Sequence, residues 1–264
     1  MMSDEFIPRA IPRVKVALFG PSNVGKTLFR NMLLRRDPSP PKPSEKSEEE
    51  EILREYKRPT EFGMTMSIEK YKLTLVDVPG KPEFREERMK ALSKIVGWIF
   101  MYDSTDPSSA DMLLKMIKEE LEPEKKLKSA IAMMVVGTKK DIGPNAEAIK
   151  KGEEIAKHLS KHTMMFYGYN VPHILISCKN QNEVSLTFLC LESINFDLKP
   201  PESILKKLKE GVTIPPAQVP ISKTEKEIEI PPKIEVAKTE IAKEPPIETP
   251  EIPQVPKTEV SGEE

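Results

Sequence analysis

The run Gly20-Pro-Ser-Asn-Val-Gly-Lys-Thr27 constrains this chain more than any other stretch. It fits Gly-x-x-x-x-Gly-Lys-Ser/Thr, a phosphate-cradling loop that works only where a strand leads in and a helix leads out. Both flanks are present: Val14 to Phe19 is an apolar run, and Leu28 to Arg36 suits a helix. Gly20 and Gly25 let the backbone turn so that successive N–H groups point inward at anionic oxygens. The helix N-terminus beyond adds the positive end of its dipole. Ser22, Asn23, Val24 and Leu28 fill out the stretch expected to face phosphate, Lys26 brings a point charge, and the Thr27 hydroxyl is a hard oxygen ligand for magnesium.

Three further strand-and-loop signals follow in order. Leu73-Thr-Leu-Val-Asp-Val-Pro-Gly80 is an apolar strand ending in Asp-x-x-Gly. Val135-Val-Gly-Thr-Lys-Lys-Asp141 ends in Thr-Lys-x-Asp, and His173-Ile-Leu-Ile-Ser-Cys-Lys179 ends in Ser-Cys-Lys. Each alone is weak, since a charged turn after a strand is common. Together they place loops at the C-terminal ends of predicted parallel strands, where open α/β sheets bind ligands.

In this order the motifs resemble those of Ras-superfamily small GTPases, over residues 11 to 198. The segment Asp77 to Asp103, with Gly80-Lys-Pro-Glu-Phe-Arg85 and Ile99-Phe-Met-Tyr-Asp-Ser-Thr105, is most similar to the Arf-like and prokaryotic MglA-like branches. The resemblance implies GTP or GDP as the bound nucleotide, with Mg2+. Asp141 would accept two hydrogen bonds from guanine that adenine does not offer. Thr138 and Lys139 would line the base pocket beside it, and Ser177, Cys178 and Lys179 would complete it. Asp77 would hold magnesium, and the Gly80 amide would meet the γ-phosphate. The switch threonine is expected at Thr60, in Arg58-Pro-Thr, because Pro-Thr before a strand is the family pattern; Thr65 is the alternative. Lys26, Thr60, Gly80 and Lys81 are the expected catalytic set.

One position departs from the family. Where a glutamine usually follows the Asp-x-x-Gly glycine, this chain has Lys81. An ammonium donates three hydrogen bonds and accepts none, so it cannot orient an attacking water as glutamine does. Slow, partner-dependent hydrolysis is expected, with Glu61 or Glu83 as other candidates for placing water. A hydrolysis-deficient GTP-binding scaffold is the alternative. A P-loop ATPase or kinase is a third reading, against which the base-reading loops stand.

Alternating strand-like and helix-like runs predict an α/β, three-layer P-loop sandwich: a mostly parallel six-stranded sheet with helices on both faces. Strands are expected at 14–19, 66–70, 71–77, 97–103, 130–137 and 173–177, and helices at 25–35, 84–95, 108–121, 145–162 and 182–195. Residues 37–57, rich in proline and glutamate, carry no periodic apolar face and are expected to be a flexible insertion, with Glu48–Glu51 a solvated charge run. Residues 199–211 read as a short helix or linker. Val212 to Glu264 holds 10 Pro, 6 Lys and 11 Glu, a net charge of −5, and no aromatic residue. That composition predicts a disordered, extended tail.

Charge and targeting signals narrow the partners. A formal charge of −1 gives no case for nucleic acid. There is no signal peptide, N-terminal myristoylation glycine, C-terminal prenyl cysteine or spanning apolar run, so a cytoplasmic monomer without a direct lipid anchor is expected. Its partners would be guanine nucleotide and effector, activating and exchange proteins. Cys178 and Cys190 are expected reduced, and His158 with His162 are surface residues rather than a metal pair.

Overall fold

The computed structural model describes residues 11–36, 44–59 and 65–210, with backbone alone at 57–59 and 65–69. All of them fall in one compact unit, Met1–Thr224. The strands are β1 (Arg13–Phe19), β2 (Glu48–Pro59), β3 (Thr65–Asp77), β4 (Gly97–Asp103), β5 (Ala132–Thr138) and β6 (His173–Leu175). They form one sheet in the order β2-β3-β1-β4-β5-β6, with β2 antiparallel to β3 and every other pair parallel. The helices are α1 (Lys26–Leu33), α2 (Arg85–Ala91), α3 (Pro107–Met116), α4 (Ala146–Tyr167), α5 (Gln181–Asp197) and α6 (Glu202–Glu210). α1 packs on α5, and α3 on α4, which gives the layered α/β architecture expected.

β4 and β5 are buried along almost their whole lengths, as parallel strands covered on both faces must be. Phe19, Trp98 and Phe100 interlock at their centre, with Trp98 stacked on Phe100 at 5.6 Å between ring centroids. Helix ends follow capping chemistry. The Asp106, Asn145 and Asn180 side chains accept first-turn N–H bonds of α3, α4 and α5. α4 runs five residues past its expected end and stops where Gly168 takes φ +73°. α3 leads into a single π-helical turn, Ile117–Leu121.

The largest departure from expectation is β2. The stretch 48–57, expected to be flexible, is ordered as the sheet's edge strand, and 71–77 and 66–70 are one continuous β3. Ile52, Arg54 and Tyr56 alternate inward and are buried, a period of two that the surrounding glutamates masked. The glutamate run is paired rather than merely solvated: Glu48 with Arg30, Glu49 with Lys15 at 2.6 Å, Glu50 with Arg36, and Glu51 with Lys72 at 3.0 Å. Residues 37–43 of the expected insertion and the expected tail, 212–264, lie outside the described residues.

Register places the functional loops. Leu18 pairs with Asp77, so β1 and β3 end within a residue of each other; β4 and β5 end together at Asp103 and Thr138, three residues beyond the pairing of Phe19 with Phe100. β1 lies between β3 and β4, and the loop after it opens where the strand order reverses.

Candidate functional site

The loop after β1 is pressed against its neighbours on two sides. A side chain at Gly20 would put its Cβ 2.0 Å from the Met101 carbonyl oxygen of β4. A side chain at Gly80 would put its Cβ 2.3 Å from the Ser22 nitrogen and the Pro21 carbonyl carbon. Only glycine fits either place, so the Asp-x-x-Gly turn rests directly on the phosphate loop. Gly25 accepts the Phe29 N–H at 2.8 Å and starts α1.

Lys26 is buried under this loop, and its Nζ donates to the carbonyls of Gly20 at 2.9 Å and Pro21 at 2.7 Å. Burial lowers its pKa from the ordinary 10.5 to about 8; Asp77 opposes that shift and the Arg88 charge adds to it. An ammonium held on backbone carbonyls with a depressed pKa is poised to take an anionic partner.

The residues expected to hold magnesium meet beside it. The Thr27 hydroxyl donates to Asp77 Oδ2 at 2.6 Å. Asp77 Oδ1 is buried and, among the described residues, accepts no hydrogen bond. Burial raises the Asp77 pKa, against the Thr27 hydrogen bond and the Lys26 and Arg30 charges. A hard carboxylate oxygen without a donor, next to a hydroxyl, suits a divalent cation that takes its remaining ligands from phosphate and water. No cluster of three or more His, Cys, Asp or Glu occurs among the described residues, in keeping with that kind of site rather than an all-protein cage.

The hydroxyl that meets Thr27 among the described residues is a different one from those the sequence suggested. Thr60 lies outside the described residues, but its neighbour Pro59 pairs with Thr65 while Glu48 pairs with Asp77. Pro59 and Thr65 are therefore at the far end of the hairpin, roughly 40 Å of strand from Asp77 at about 3.3 Å per residue. From that register Thr65 lies too far along β3 to complete the Thr27–Asp77 pair. Ser44 does reach it: its Oγ lies 3.1 Å from Thr27 Oγ1. Since Thr27 spends its one proton on Asp77, Ser44 is the donor of that bond. The signal was present as Pro43-Ser44 shortly before β2, the same pattern of proline and hydroxyl before a strand, hidden because β2 itself was not recognised.

The base-reading loops are tied to the phosphate loop. Thr138 Oγ1 shares its one proton between the carbonyls of Val24 at 2.7 Å and Tyr102 at 3.0 Å, the shorter contact being to Val24. Lys139, at φ +60°, pairs its Nζ with Asp103. Lys179 Nζ donates to Asp141 Oδ2 at 3.0 Å. Burial opposes ionisation of Asp141, but hydrogen bonds from Lys179 and Ser177 and the Lys179 charge outweigh it and hold the carboxyl below its usual range. Cys178 is buried beneath Gly25, with its thiol pushed up by burial to about 12, so it packs and does not react.

Lys81 sits on the rim, its side chain 43% exposed and its Nζ 3.5 Å from Glu83. It borders a cleft of about 330 Å³ lined by Pro21, Ser22, Asn23, Gly80, Asp103 and Asp106 among others. Gly20, Ser22, Asn23, Val24, Gly25, Lys26, Thr27, Leu28, Asp77, Gly80, Thr138, Lys139, Asp141, Ser177, Cys178 and Lys179 thus lie at one rim of the sheet; Thr60 lies outside the described residues. Ser44, Arg30 and Arg88 are the neighbours that sequence reasoning missed.

The comparisons agree with this geometry. A model of the Ras family matches residues 15–194. A search of curated proteins returned no match. No helix among the described residues is long and apolar enough to cross a membrane. With its phosphate loop, Asp-x-x-Gly turn and base-reading loops on the rim of one sheet, the chain belongs to the Ras family of GTP-binding switch proteins.

Proposed function

We propose that this protein binds GTP and GDP with Mg2+, that Ser44 is its switch hydroxyl, and that it hydrolyses GTP slowly unless a partner assists. One observation carries the reading: two separate segments rest on the phosphate loop, Ser44 through Thr27 and the Gly80 turn through Pro21 and Ser22. A terminal phosphate arriving there must displace or engage both, and its loss releases both.

Thr27, Asp77 and Ser44 would hold the metal, which when bound neutralises charge on the β- and γ-phosphate oxygens. Lys26 exchanges its two carbonyl acceptors for phosphate oxygens. Asp141 accepts from guanine, while Lys139, anchored on Asp103, stays beside the base. Water attacks the γ-phosphorus in line, the bond to the β–γ bridging oxygen breaks, and GDP leaves with that electron pair. The attacking water needs an acceptor that Lys81 cannot offer. Effector, activating and exchange proteins would read and reset the switch. Cytoplasm is the proposed setting, with the monomer as the working form.

A second reading, a GTP-binding scaffold without effective hydrolysis, is favoured by the same Lys81. Single-turnover hydrolysis decides between them. Slow turnover that Lys81→Gln accelerates, or that cell extract accelerates, supports the enzyme. No phosphate release under any of these conditions supports the scaffold. A wild-type rate equal to ordinary unassisted GTPases, unchanged in Lys81→Gln, contradicts the role given to Lys81.

A further inference from the structure

Arg88 of α2 is completely buried, an expensive place for a guanidinium unless every donor is met. Each of its three nitrogens has a partner. Nε donates to Glu120 at 3.0 Å, and Nη2 to both Glu120 oxygens at 2.7 and 2.8 Å. Nη1 donates to the Pro79 carbonyl at 2.7 Å and the Lys81 carbonyl at 3.1 Å. Glu120 comes from the π-helical turn after α3, closed by the Glu122 N–H bonding to the Ile117 carbonyl five residues back. Such a turn is an irregularity, and here it carries the one carboxylate that anchors Arg88.

The two carbonyls bracket Gly80. The Pro79 carbonyl and the Gly80 N–H belong to one planar trans peptide, so they point in opposite directions. Holding that carbonyl toward Arg88 aims the Gly80 N–H away from it, while Gly80 itself lies against Pro21 and Ser22 of the phosphate loop. Charge on the carbonyl side also polarises the amide and strengthens its N–H as a donor.

We propose that Arg88, anchored by Glu120, is a positioning residue that presets the Gly80 amide and thereby adds to the affinity for GTP relative to GDP. The inference rests on the guanine-nucleotide reading above and adds a determinant of γ-phosphate recognition away from the nucleotide itself. Arg88→Lys keeps the charge but puts all its donors on one nitrogen, losing the planar fork that spans Glu120 on one edge and two carbonyls on the other. Glu120→Gln keeps the size and frees the guanidinium from its anchor.

The test titrates wild type and both variants with a fluorescent GDP and a fluorescent non-hydrolysable GTP analogue, at saturating Mg2+. The expected result is GDP affinity within about twofold of wild type and GTP-analogue affinity lower by about tenfold, the scale of one hydrogen bond to a charged group. Equal loss for both nucleotides, or no change in either, overturns the inference. Should Arg88→Lys not fold, Glu120→Gln decides; failure of both to fold marks the pair as structural support and overturns it as well. Wild-type protein that binds neither nucleotide overturns the underlying reading instead, and shows itself before any variant is compared.

Discussion

Ser44, Thr27 and Asp77 form a chain of three oxygens in which each hydroxyl has one proton to give. Ser44→Ala removes the last link and leaves the buried pair intact. It is expected to lower affinity for GTP with Mg2+ by about tenfold, the cost of one ligand or charged hydrogen bond, and to spare GDP binding; Thr60→Ala is expected to change neither, in the same fluorescence titration. Lys26 supplies a second prediction, in pH. Its folded pKa of about 8 lies below the ordinary 10.5, so the unfolded chain binds more protons between those values. Stability of the nucleotide-free protein therefore gains from this group as pH rises through that window. Bound phosphate restores the charge, so nucleotide uptake above about pH 8 takes up a proton and affinity falls by up to about tenfold per pH unit. Calorimetry of GDP binding at about pH 9, in buffers of different ionisation enthalpy, should register uptake approaching one proton; none would contradict this role of Lys26. The phosphate loop, Asp77 and Asp141 could be found in the sequence because each follows an apolar strand at a set offset. Ser44 could not, because it precedes a strand whose first four residues are glutamates.

At the scale of elements, β2 shows why. Exposed ion pairs contribute about 0–1 kcal/mol each, so the glutamate pairings with Arg30, Lys15, Arg36 and Lys72 do not make the strand by themselves. Its inward face does more. Arg54 donates to Glu192 of α5 through Nε at 2.7 Å and Nη2 at 3.1 Å, lies 4.9 Å over the Phe188 ring, and shares Glu192 with the Tyr71 hydroxyl. Tyr56 stacks on Phe196 at 5.0 Å. Both ends of the Arg54–Glu192 pair are only 4% exposed. Breaking such a pair from one side leaves a buried charge, so Glu192→Gln is expected to cost about 3–5 kcal/mol in denaturant unfolding. Replacing both partners with methionine should recover most of that loss, and failure to recover it would show that the pair is net stabilising. A charged residue pointing inward breaks the apolar–polar alternation that identifies a half-buried strand. This buried arginine, together with the glutamates, is what concealed β2, while β1, β4 and β5 were plain from their continuous apolar runs.

For the molecule as a whole, the parallel sheet gathers separate loops on one rim, and direct bonds fuse them into one receptor. Thr138 joins the base loop to the phosphate loop through Val24, Gly80 rests on Pro21 and Ser22, and Arg88 braces that turn from behind. On the proposed reading, phosphate and base recognition would be coupled through these bonds. Asp141→Ala should weaken guanine nucleotide binding by at least about a hundredfold, since a site built to hydrogen-bond a group suffers strongly when the partner is lost. The most direct measurement is competition for labelled GDP by unlabelled GTP and by excess ATP on the purified chain. Displacement by GTP at stoichiometric concentrations, with ATP ineffective at about a thousandfold excess, is the predicted result. Equal displacement by ATP, or retention of GDP that survives Lys26→Ala undiminished, would contradict a guanine-nucleotide switch.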